Sequence, residues 1–554
     1  MTLSVSNQLS TNIIPDSAII FFASTVTSLL IIYRSKIQKW KSELLKPIVK
    51  GPYAPLQLQQ QDELRQSKTA PSVKVIESMT GDDILLHGSI LEGYKIEEIR
   101  VHKLDCLREL FESKNISNLA HQKVSRVTGT PITYNCLLSD EDFILGDIVR
   151  KVRDKRVSEA FVRAGPRPIT HFDPSKVRAA IVTCGGLCPG LNNVIRELVH
   201  SLINLYNVEI VYGIRGGFNG MTDGTGIYQI VELTEEIVAD CHHQGGSILG
   251  SSRGGFDLDK MINFLTKYEI NQLYVIGGDG THRGAQSLAQ ECLNRKLNIS
   301  VAGIPKTIDN DVDLIDKSFG FQTAVEAAQA AIQSAKTEAR CNVPNGIGIV
   351  KLMGRSAGYI AVHACLGSGD IDLCLVPEIP IILEGDDGYL PFLLRRVLEK
   401  GHAVVVVAEG AGEELLGQST EKDAGGNKKL PPIGEFMKEK IEQYFTKNGY
   451  PSTVKYINPS YMIRSVPANA SDAFYCMLLA QNAVHGAMAG FTAFSTGLIN
   501  NRMVYIPMKR LVATSPRMLD PYGRTWERVL AETMQPNHHL TVDHSNISMA
   551  DHVA

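Results

Sequence analysis

The chain has 554 residues, with 56 Lys and Arg against 59 Asp and Glu, 44% hydrophobic and 21% charged residues. These are ordinary globular proportions and exclude a disordered or collagen-like chain. A net charge of −3 gives no global field to draw the protein onto nucleic acid, so no such partner is expected and any anion site must be local.

At roughly 100–200 residues per domain, length alone suggests about three or four domains. The ten cysteines include no C-x-x-C pair and are spread through apolar runs. That pattern fits buried thiols in a reducing compartment and argues against a disulfide framework or a zinc site.

Taken in chain order, the first distinctive segment is SAIIFFASTVTSLLIIY, residues 17–33, which carries no charge. As a helix it would reach about 26 Å against a hydrocarbon core of roughly 30 Å, which is borderline for spanning. No Lys or Arg precedes it, so it lacks the basic start of a secretory signal peptide. Arg34, Lys36, Lys39 and Lys41 follow it, and the positive-inside rule would keep the rest of the chain on the cytoplasmic side. Residues 1–40 are read as a membrane anchor or organelle-targeting piece, against the plainer reading of an apolar helix packed on the core.

Residues 41–175 are read as an amino-terminal extension. PLQLQQQDELRQS (55–67) resembles a linker, DDILLHGSILEGYKIEEIRV predicts short strands and turns, and LSDEDFILGD (138–147) predicts an acidic surface turn. The character changes at Val177. VRAAIVTCGG is a β-rich apolar run ending in glycines, and LNNVIRELVHSLINLY after it places Val194, Leu198, Leu202 and Leu205 at helical spacing. The unit recurs: QLYVIGGDG before THRGAQSLAQECLNR, SVAGIPKTIDND before FQTAVEAAQAAIQSA, and GIGIVKLMGRS before AGYIAVHACLG, while HAVVVVAEGAG follows LPFLLRRVLEK. Buried apolar strands alternating with helices predict an α/β fold with parallel sheets, which bind ligands at the carboxyl ends of their strands. EELLGQSTEKDAGGNKKLPP (413–432) is polar and rich in Gly and Pro, and is read as a mobile surface insertion.

Chemistry concentrates at those strand ends. CGGLCPG (184–190) leads into a helix whose amino end offers free N–H groups, but it matches neither G-x-x-x-x-G-K-[ST] nor G-x-G-x-x-G. GGDGT (277–281) is more specific: its glycines allow close backbone approach to a polyphosphate, and Asp279 is placed to hold Mg²⁺. In PKTIDNDVD (305–313) an extended segment would put Asp309, Asp311 and Asp313 on one face. Clustered carboxylates repel one another, so they call for a cation or a proton-transfer role. Arg253, Lys306 and Arg355 each sit in or beside a glycine turn and could meet a phosphoryl group.

TCGGLCPGLN, GSSRGG, GGDGTHRGA, PKTIDND, KLMGRSAGYIA and YMIR occur in the order and near the spacing of the 6-phosphofructokinase family, which the chain resembles over about residues 177–515. The plant and protist branch, with its ATP-dependent enzymes, is the nearest in pattern. The resemblance implies two Rossmann-like parallel-sheet lobes facing one active-site cleft (residues 176–520), with an amino-terminal extension and a carboxy-terminal tail at 521–554. It implies transfer of the γ-phosphoryl of ATP to the 1-hydroxyl of fructose 6-phosphate in glycolysis, with Mg²⁺ as cofactor.

By the family pattern Asp309 is the general base and Arg355 is also catalytic. Asp279 binds Mg²⁺ with Asp311 as helper. Gly186, Arg253, Gly254 and the turn Gly278, Asp279, Gly280 and Thr281 hold the nucleotide. Thr307, Ile308, Met353, Gly354, Arg355 and Glu409 meet the sugar or the transferring group, and Tyr461, Met462, Ile463 and Arg464 hold the sugar 6-phosphate. Bacterial members place His at Tyr461, and arginines of a neighbouring subunit where Gly346 and Lys455 stand here. Pyrophosphate-using members carry Asp at the position of Gly280 and Lys at that of Lys306. Gly280 thus indicates ATP and Lys306 pyrophosphate; the steric effect of a side chain at 280 weighs more, and ATP is the expected donor. A pyrophosphate-dependent enzyme and a non-catalytic regulatory or sugar-sensing subunit are the alternatives. The resemblance also implies an allosteric homo-oligomer, a dimer or tetramer, in the cytoplasm. GGDG and TIDND each occur once, so the length does not come from an internal duplication, and the domain estimate falls to one catalytic unit.

Overall fold

The computed structural model describes residues 99–111, 137–149, 157–417 and 430–541, with the short strands Lys74–Val75, Asp83–His87 and Ile116–Ser117. The apolar segment 17–33, the stretch 55–67 and residues 418–429 of the polar insertion lie outside the described residues. Everything below belongs to one unit, Val73–Ala554.

The first lobe is built from β1 (Arg178–Thr183), α1 (Leu191–His200), β2 (Ile210–Ile214), β3 (Gln272–Gly277), α2 (Asp279–Asn294) and β4 (Ser300–Pro305). Every residue of β3 and β4 is buried, as expected for parallel strands covered on both faces. Strands β2, β1, β3 and β4 lie side by side and parallel. Val194 and Leu198 of α1 are fully buried, the helical spacing read from the sequence.

The long helix α3 (Phe321–Cys341) then leads into the second lobe. There β5 (Gly346–Leu352), α4 (Tyr359–Ser368), β6 (Leu373–Leu375), α5 (Tyr389–Lys400), β7 (His402–Ala408), α6 (Ile433–Lys447) and β8 (Thr453–Ile457) alternate. The four strands pair in parallel in the order β6-β7-β5-β8. Helix α3 lies close on β5 because Gly346 and Gly348 have no side chains. A Cβ at 348 would stand 2.6 Å from the Ala335 carbonyl oxygen, and one at 346 would collide with that of Ala339. An arginine cannot replace Gly346 without moving the helix.

After α7 (Ser460–Arg464) and α8 (Ala470–Met488) the chain returns to the first sheet. Strand β9 (Phe494–Ile499) pairs parallel to β4, and β10 (Arg502–Pro507) pairs antiparallel to β9. Part of the amino-terminal stretch extends this sheet: Ser158–Arg163 pairs with β10, and Ile99–His102 pairs with Ser158–Arg163. Among the described residues the first sheet therefore has 12 strands and is mixed, while the second has four and is wholly parallel. The acidic segment 138–147 is a turn followed by a strand, Phe143–Leu145. Asp140 in the turn accepts 2.7 Å hydrogen bonds from both Arg108 and Arg167. At the other end, helix Arg524–Thr533 buries Trp526 fully, and the Gln535 side chain brackets the backbone of Cys374 in β6 at 2.7 and 3.0 Å.

The nine described cysteines are all free thiols, seven of them buried. Burial pushes the Cys184 and Cys188 thiols up to about 12, so neither is a reactive thiolate.

Candidate active site

Because β1, β3 and β4 are adjacent and parallel, the turns after them open on the same side of the sheet. They form one wall of a cavity of about 490 Å³. The turns after β5 and β7 form the opposite wall; these strands are in register from Gly346↔His402 to Leu352↔Ala408, which sets Met353 and Arg355 beside Glu409.

The turn after β1 is held open by backbone pairing. Gly185, at φ +86°, donates its N–H to Ser252 and accepts from Ser251 Oγ at 2.6 Å, bringing Arg253 and Gly254 alongside Gly186. A Cβ at Gly186 would lie 3.8 Å from both the Arg253 and the Arg464 guanidinium groups. The backbone at 186 thus passes between two cations.

The turn after β3 becomes helix α2. Gly278 is its N-cap and supplies no side-chain cap, so the first N–H groups are left for a ligand. A Cβ at Gly280 would meet no atom within 4 Å, which makes the space over this helix end open to the cavity.

Lys306 follows β4. Its Nζ donates to the Gly186 carbonyl at 2.7 Å, tying two neighbouring strand ends together. Burial lowers its pKa from the ordinary lysine range, with Arg253 and Arg464 adding repulsion.

Beyond Lys306 the segment is not the extended run expected from its alternating aspartates. Asn310 adopts φ +57°, which breaks the alternation, and the Asn310 side chain accepts the Ser318 N–H. Asp309 and Asp311 therefore line the cavity while Asp313 does not, and the Asp313 backbone N–H donates to Ser515 Oγ at 3.1 Å.

Three carboxylates from two strand ends now crowd one space. Asp311 accepts from Thr307 Oγ1 at 2.6 Å. Asp309 has a buried Oδ1 with no partner, and the Arg355 backbone N–H reaches its carboxylate from the opposite lobe. Burial, then Asp311 and Glu409, push Asp309 up to about 7; burial and Asp311 push Asp279 up to about 6. The lining holds four acids (Asp279, Asp309, Asp311, Glu409) and four cations (Arg253, Lys306, Arg355, Arg464), a balance that total charge could not reveal.

Of the residues singled out in the sequence, Gly186, Arg253, Gly254, Gly278, Asp279, Gly280, Thr281, Lys306, Thr307, Ile308, Asp309, Asp311, Met353, Arg355, Glu409 and Arg464 line this one cavity. Gly354 lies just behind it at φ +130°. The YMIR helix divides: Arg464 lines the cavity, Ile463 is buried in the core, and Tyr461 and Met462 are each 73% exposed. The Arg464 guanidinium stacks 4.8 Å from the Tyr461 ring centre. Phe218 and Phe256 belong to no motif, yet they line the cavity as an edge-to-face pair 6.1 Å apart.

Asp279 and Asp311 supply hard oxygen donors facing a phosphate-sized space. Among the described residues no group of three or more His, Cys, Asp or Glu could hold a metal alone. Two carboxylates with phosphate and water completing the shell is the usual Mg²⁺ arrangement, so the donor set fits that ion.

The phosphofructokinase family model matches residues 178–487. The chain is 51% identical over 380 residues to ATP-dependent 6-phosphofructokinase 7 of Arabidopsis thaliana, covering 68% of this chain and 77% of that one. It is 46% identical over 413 residues to the chloroplastic ATP-dependent 6-phosphofructokinase 4 of the same plant, covering 73% and 76%. In fold it is similar to a pyrophosphate-dependent phosphofructokinase from Marinobacter aquaeolei, with a TM-score of 0.53 and 19% identity over 65% of this chain and 92% of that one. That identity speaks to fold alone. With six ordered motifs converging on one cleft, a family model matching residues 178–487 and about half of the aligned positions identical to such relatives, the chain belongs to the phosphofructokinase family.

Proposed function

We propose that this protein is an ATP-dependent 6-phosphofructokinase, transferring the γ-phosphoryl group of ATP to the 1-hydroxyl of fructose 6-phosphate to give fructose 1,6-bisphosphate and ADP. The observation that carries the reading is Asp309: a buried carboxylate with an unpartnered oxygen, at the meeting of the two lobes. Its apolar, acid-rich setting raises its affinity for a proton toward the working range of a general base.

In this reading Asp309 takes the proton of the sugar 1-hydroxyl as the oxygen attacks phosphorus. Arg355, Lys306 and Arg253 balance charge on the transferring oxygens, and the open N-terminus of α2 at Gly278–Gly280 receives the nucleotide phosphates. Phe218 and Phe256 give an apolar wall for the base, and Phe256, 45% exposed in the free protein, would be covered by it. Arg464 holds the sugar 6-phosphate, with Tyr461 stacked beneath its guanidinium. Thr307 orients Asp311, and Met353, Gly354 and Glu409 shape the sugar side. Asp279 and Asp311 would hold Mg²⁺, which when bound neutralises phosphate charge.

ATP is favoured over pyrophosphate by the open space at Gly280. Lys306 does not oppose this, because an ammonium that donates one hydrogen bond to the Gly186 carbonyl and faces phosphate oxygens with the others suits either donor. A cytoplasmic homo-oligomer under allosteric control is the corresponding cellular proposal. Among the described residues no helix is long and apolar enough to cross a membrane.

The test is a coupled assay with purified protein, Mg²⁺ and fructose 6-phosphate, run on wild type and D309N. ATP-dependent turnover that D309N loses supports the reading. Turnover unaffected by D309N overturns the assignment of the base, and no turnover with either donor supports a non-catalytic subunit.

A further inference from the structure

Residues 517–519 connect helix Met508–Thr514 to helix Arg524–Thr533 and line no part of the catalytic cavity. Their polar groups nevertheless reach both segments that supply it with Asp309 and Arg355.

Toward the first lobe, Arg517 bonds one loop three times. Its backbone N–H donates to the Asp311 carbonyl at 2.6 Å. Its guanidinium donates to the Asn310 carbonyl at 3.4 Å and to the Ile315 carbonyl at 3.3 Å. Asn310 is the left-handed residue, at φ +57°, whose turn brings Asp309 and Asp311 into the cavity together. The Arg517 fork therefore sits on the bend that aims the two carboxylates.

Toward the second lobe, the next two residues hold the turn after β5. The Met518 carbonyl accepts the Tyr359 hydroxyl at 2.7 Å, and the Leu519 N–H donates to Glu378 Oε1 at 2.8 Å. The same carboxylate oxygen accepts the Gly358 N–H at 3.0 Å. Gly358 is the N-cap of α4, three residues beyond Arg355. A Cβ there would lie 2.5 Å from Val376 and 3.1 Å from Glu378 Oε2, so the turn has little room to shift. Tyr359 links the two sides again, with its ring centre 5.2 Å from the Arg517 guanidinium.

Neither side chain is set for stability alone. Arg517 Nε is buried without a partner, and burial raises the Glu378 carboxyl above the ordinary carboxylate range. Inside the cleft the Arg355 N–H reaches the Asp309 carboxylate across the two lobes. One hydrogen bond fixes a separation but leaves the orientation of the two segments free, and phosphoryl transfer needs both.

We infer that Arg517 and Glu378 are positioning residues for phosphoryl transfer, acting through residues 517–519 as a strut that holds the Asp309–Asp311 loop in line with the Arg355 turn. The effect on turnover rests on the kinase reading above; the strut itself does not.

The test uses R517M, E378A, E378Q and R517M/E378A in the full chain. R517M keeps the backbone bond to Asp311 and removes the guanidinium, while E378Q keeps a carbonyl oxygen able to accept both N–H groups. R517M and E378A should each lower kcat by about 10–10²-fold, the cost of a small misplacement at the reacting groups. KM for ATP should stay within about threefold, because the turn Gly278–Gly280 is not on the strut. E378Q should return kcat to within about threefold of wild type. The double variant should be little slower than the slower single one, since both break one device, and multiplied losses overturn a shared strut.

Hydrogen exchange read by mass spectrometry tests the strut without turnover. E378A should speed exchange in 307–315, across the cleft, as well as in 355–360, and R517M should do the same from the other side. Either variant suffices if the other does not fold. Faster exchange confined to the segment each side chain touches, or unchanged kcat in folded R517M and E378A, overturns the proposal. So does a KM for ATP that rises as far as kcat falls, the mark of general loosening. If wild type turns over neither donor, the kinase reading fails, and the exchange result still decides the strut.

Discussion

Replacing Gly280 by Asp is the sharpest probe of how the nucleotide enters. Gly280 is the second residue of α2, and a Cβ there meets no atom within 4 Å, so the substitution introduces no clash with the protein. The backbone is not in the left-handed region, and an acid in the first helical turn is worth about 0.3–1 kcal/mol, offset by repulsion from Asp279. Folding stability should therefore change by less than about 1 kcal/mol. The ligand fares differently. A carboxylate about 4 Å from one phosphate charge, at an effective dielectric of about 20, costs about 4 kcal/mol. At about 1.4 kcal/mol per factor of ten, this is a loss near 10³ in kcat/KM for ATP. The assay is initial rates against ATP for wild type, G280A and G280D, with urea unfolding as the control. G280A adds only a methyl group to open space and should stay within about tenfold of wild type. Wild-type kcat/KM for ATP in a folded G280D would show that the nucleotide does not pass over this helix end.

Further outcomes follow from other contacts. D309N should lower kcat by about 10²–10⁴ while ATP affinity, measured by titration calorimetry, stays within a few-fold. Because the base works ionised and Asp309 is held at about 7, kcat/KM should fall as pH drops through about 7; a flat profile between pH 6 and 8 contradicts its role. G410A would drive a methyl into the Arg355 carbonyl and set it 3.1 Å from that of Gly354, so it should destabilise by about 1–3 kcal/mol in urea and lower kcat through the Met353–Arg355 turn. Glu159 joins the amino-terminal strand to His102 and Arg510, and these partners, against some desolvation, hold its carboxyl at about 2 instead of 4.5. Its stabilisation is full above about pH 4.5 and lost as pH falls toward 2. Being partly exposed, it is worth less than about 1 kcal/mol. The difference between wild type and E159Q in urea midpoint should therefore shrink from pH 7 to pH 3.

The parts legible in the sequence are those where local pattern and tertiary position coincide. Apolar runs such as QLYVIG and VAGIP could only be covered strands, and in parallel sheets their glycine and charged ends necessarily share one edge; hence Asp279, Lys306 and Asp309 meet. Alternation misplaces Asp313 because it assumes an extended chain, and a single left-handed residue, Asn310, turns the backbone. Tyr461 and Met462 face outward because a five-residue helix directs only part of its surface to the cleft. Phe218 and Phe256 carry no motif, since their place depends on two separate loops meeting. The same holds for Glu378, whose carboxylate accepts the N–H groups of Gly358 and Leu519 and so pins the turn after Arg355 to the carboxy-terminal segment. Arg517, whose backbone N–H bonds the Asp311 carbonyl at 2.6 Å, is likewise visible only once the chain is folded.

The central claim is that this cleft moves one phosphoryl group from ATP to the 1-oxygen of fructose 6-phosphate. The most direct measurement is ³¹P NMR of the purified protein with Mg²⁺ and fructose 6-phosphate, with ATP or pyrophosphate as donor. ATP should be converted to ADP as a second sugar phosphate resonance appears at the 1-position, and pyrophosphate should persist. Conversion of pyrophosphate to orthophosphate and bisphosphate, with ATP left intact, would contradict it.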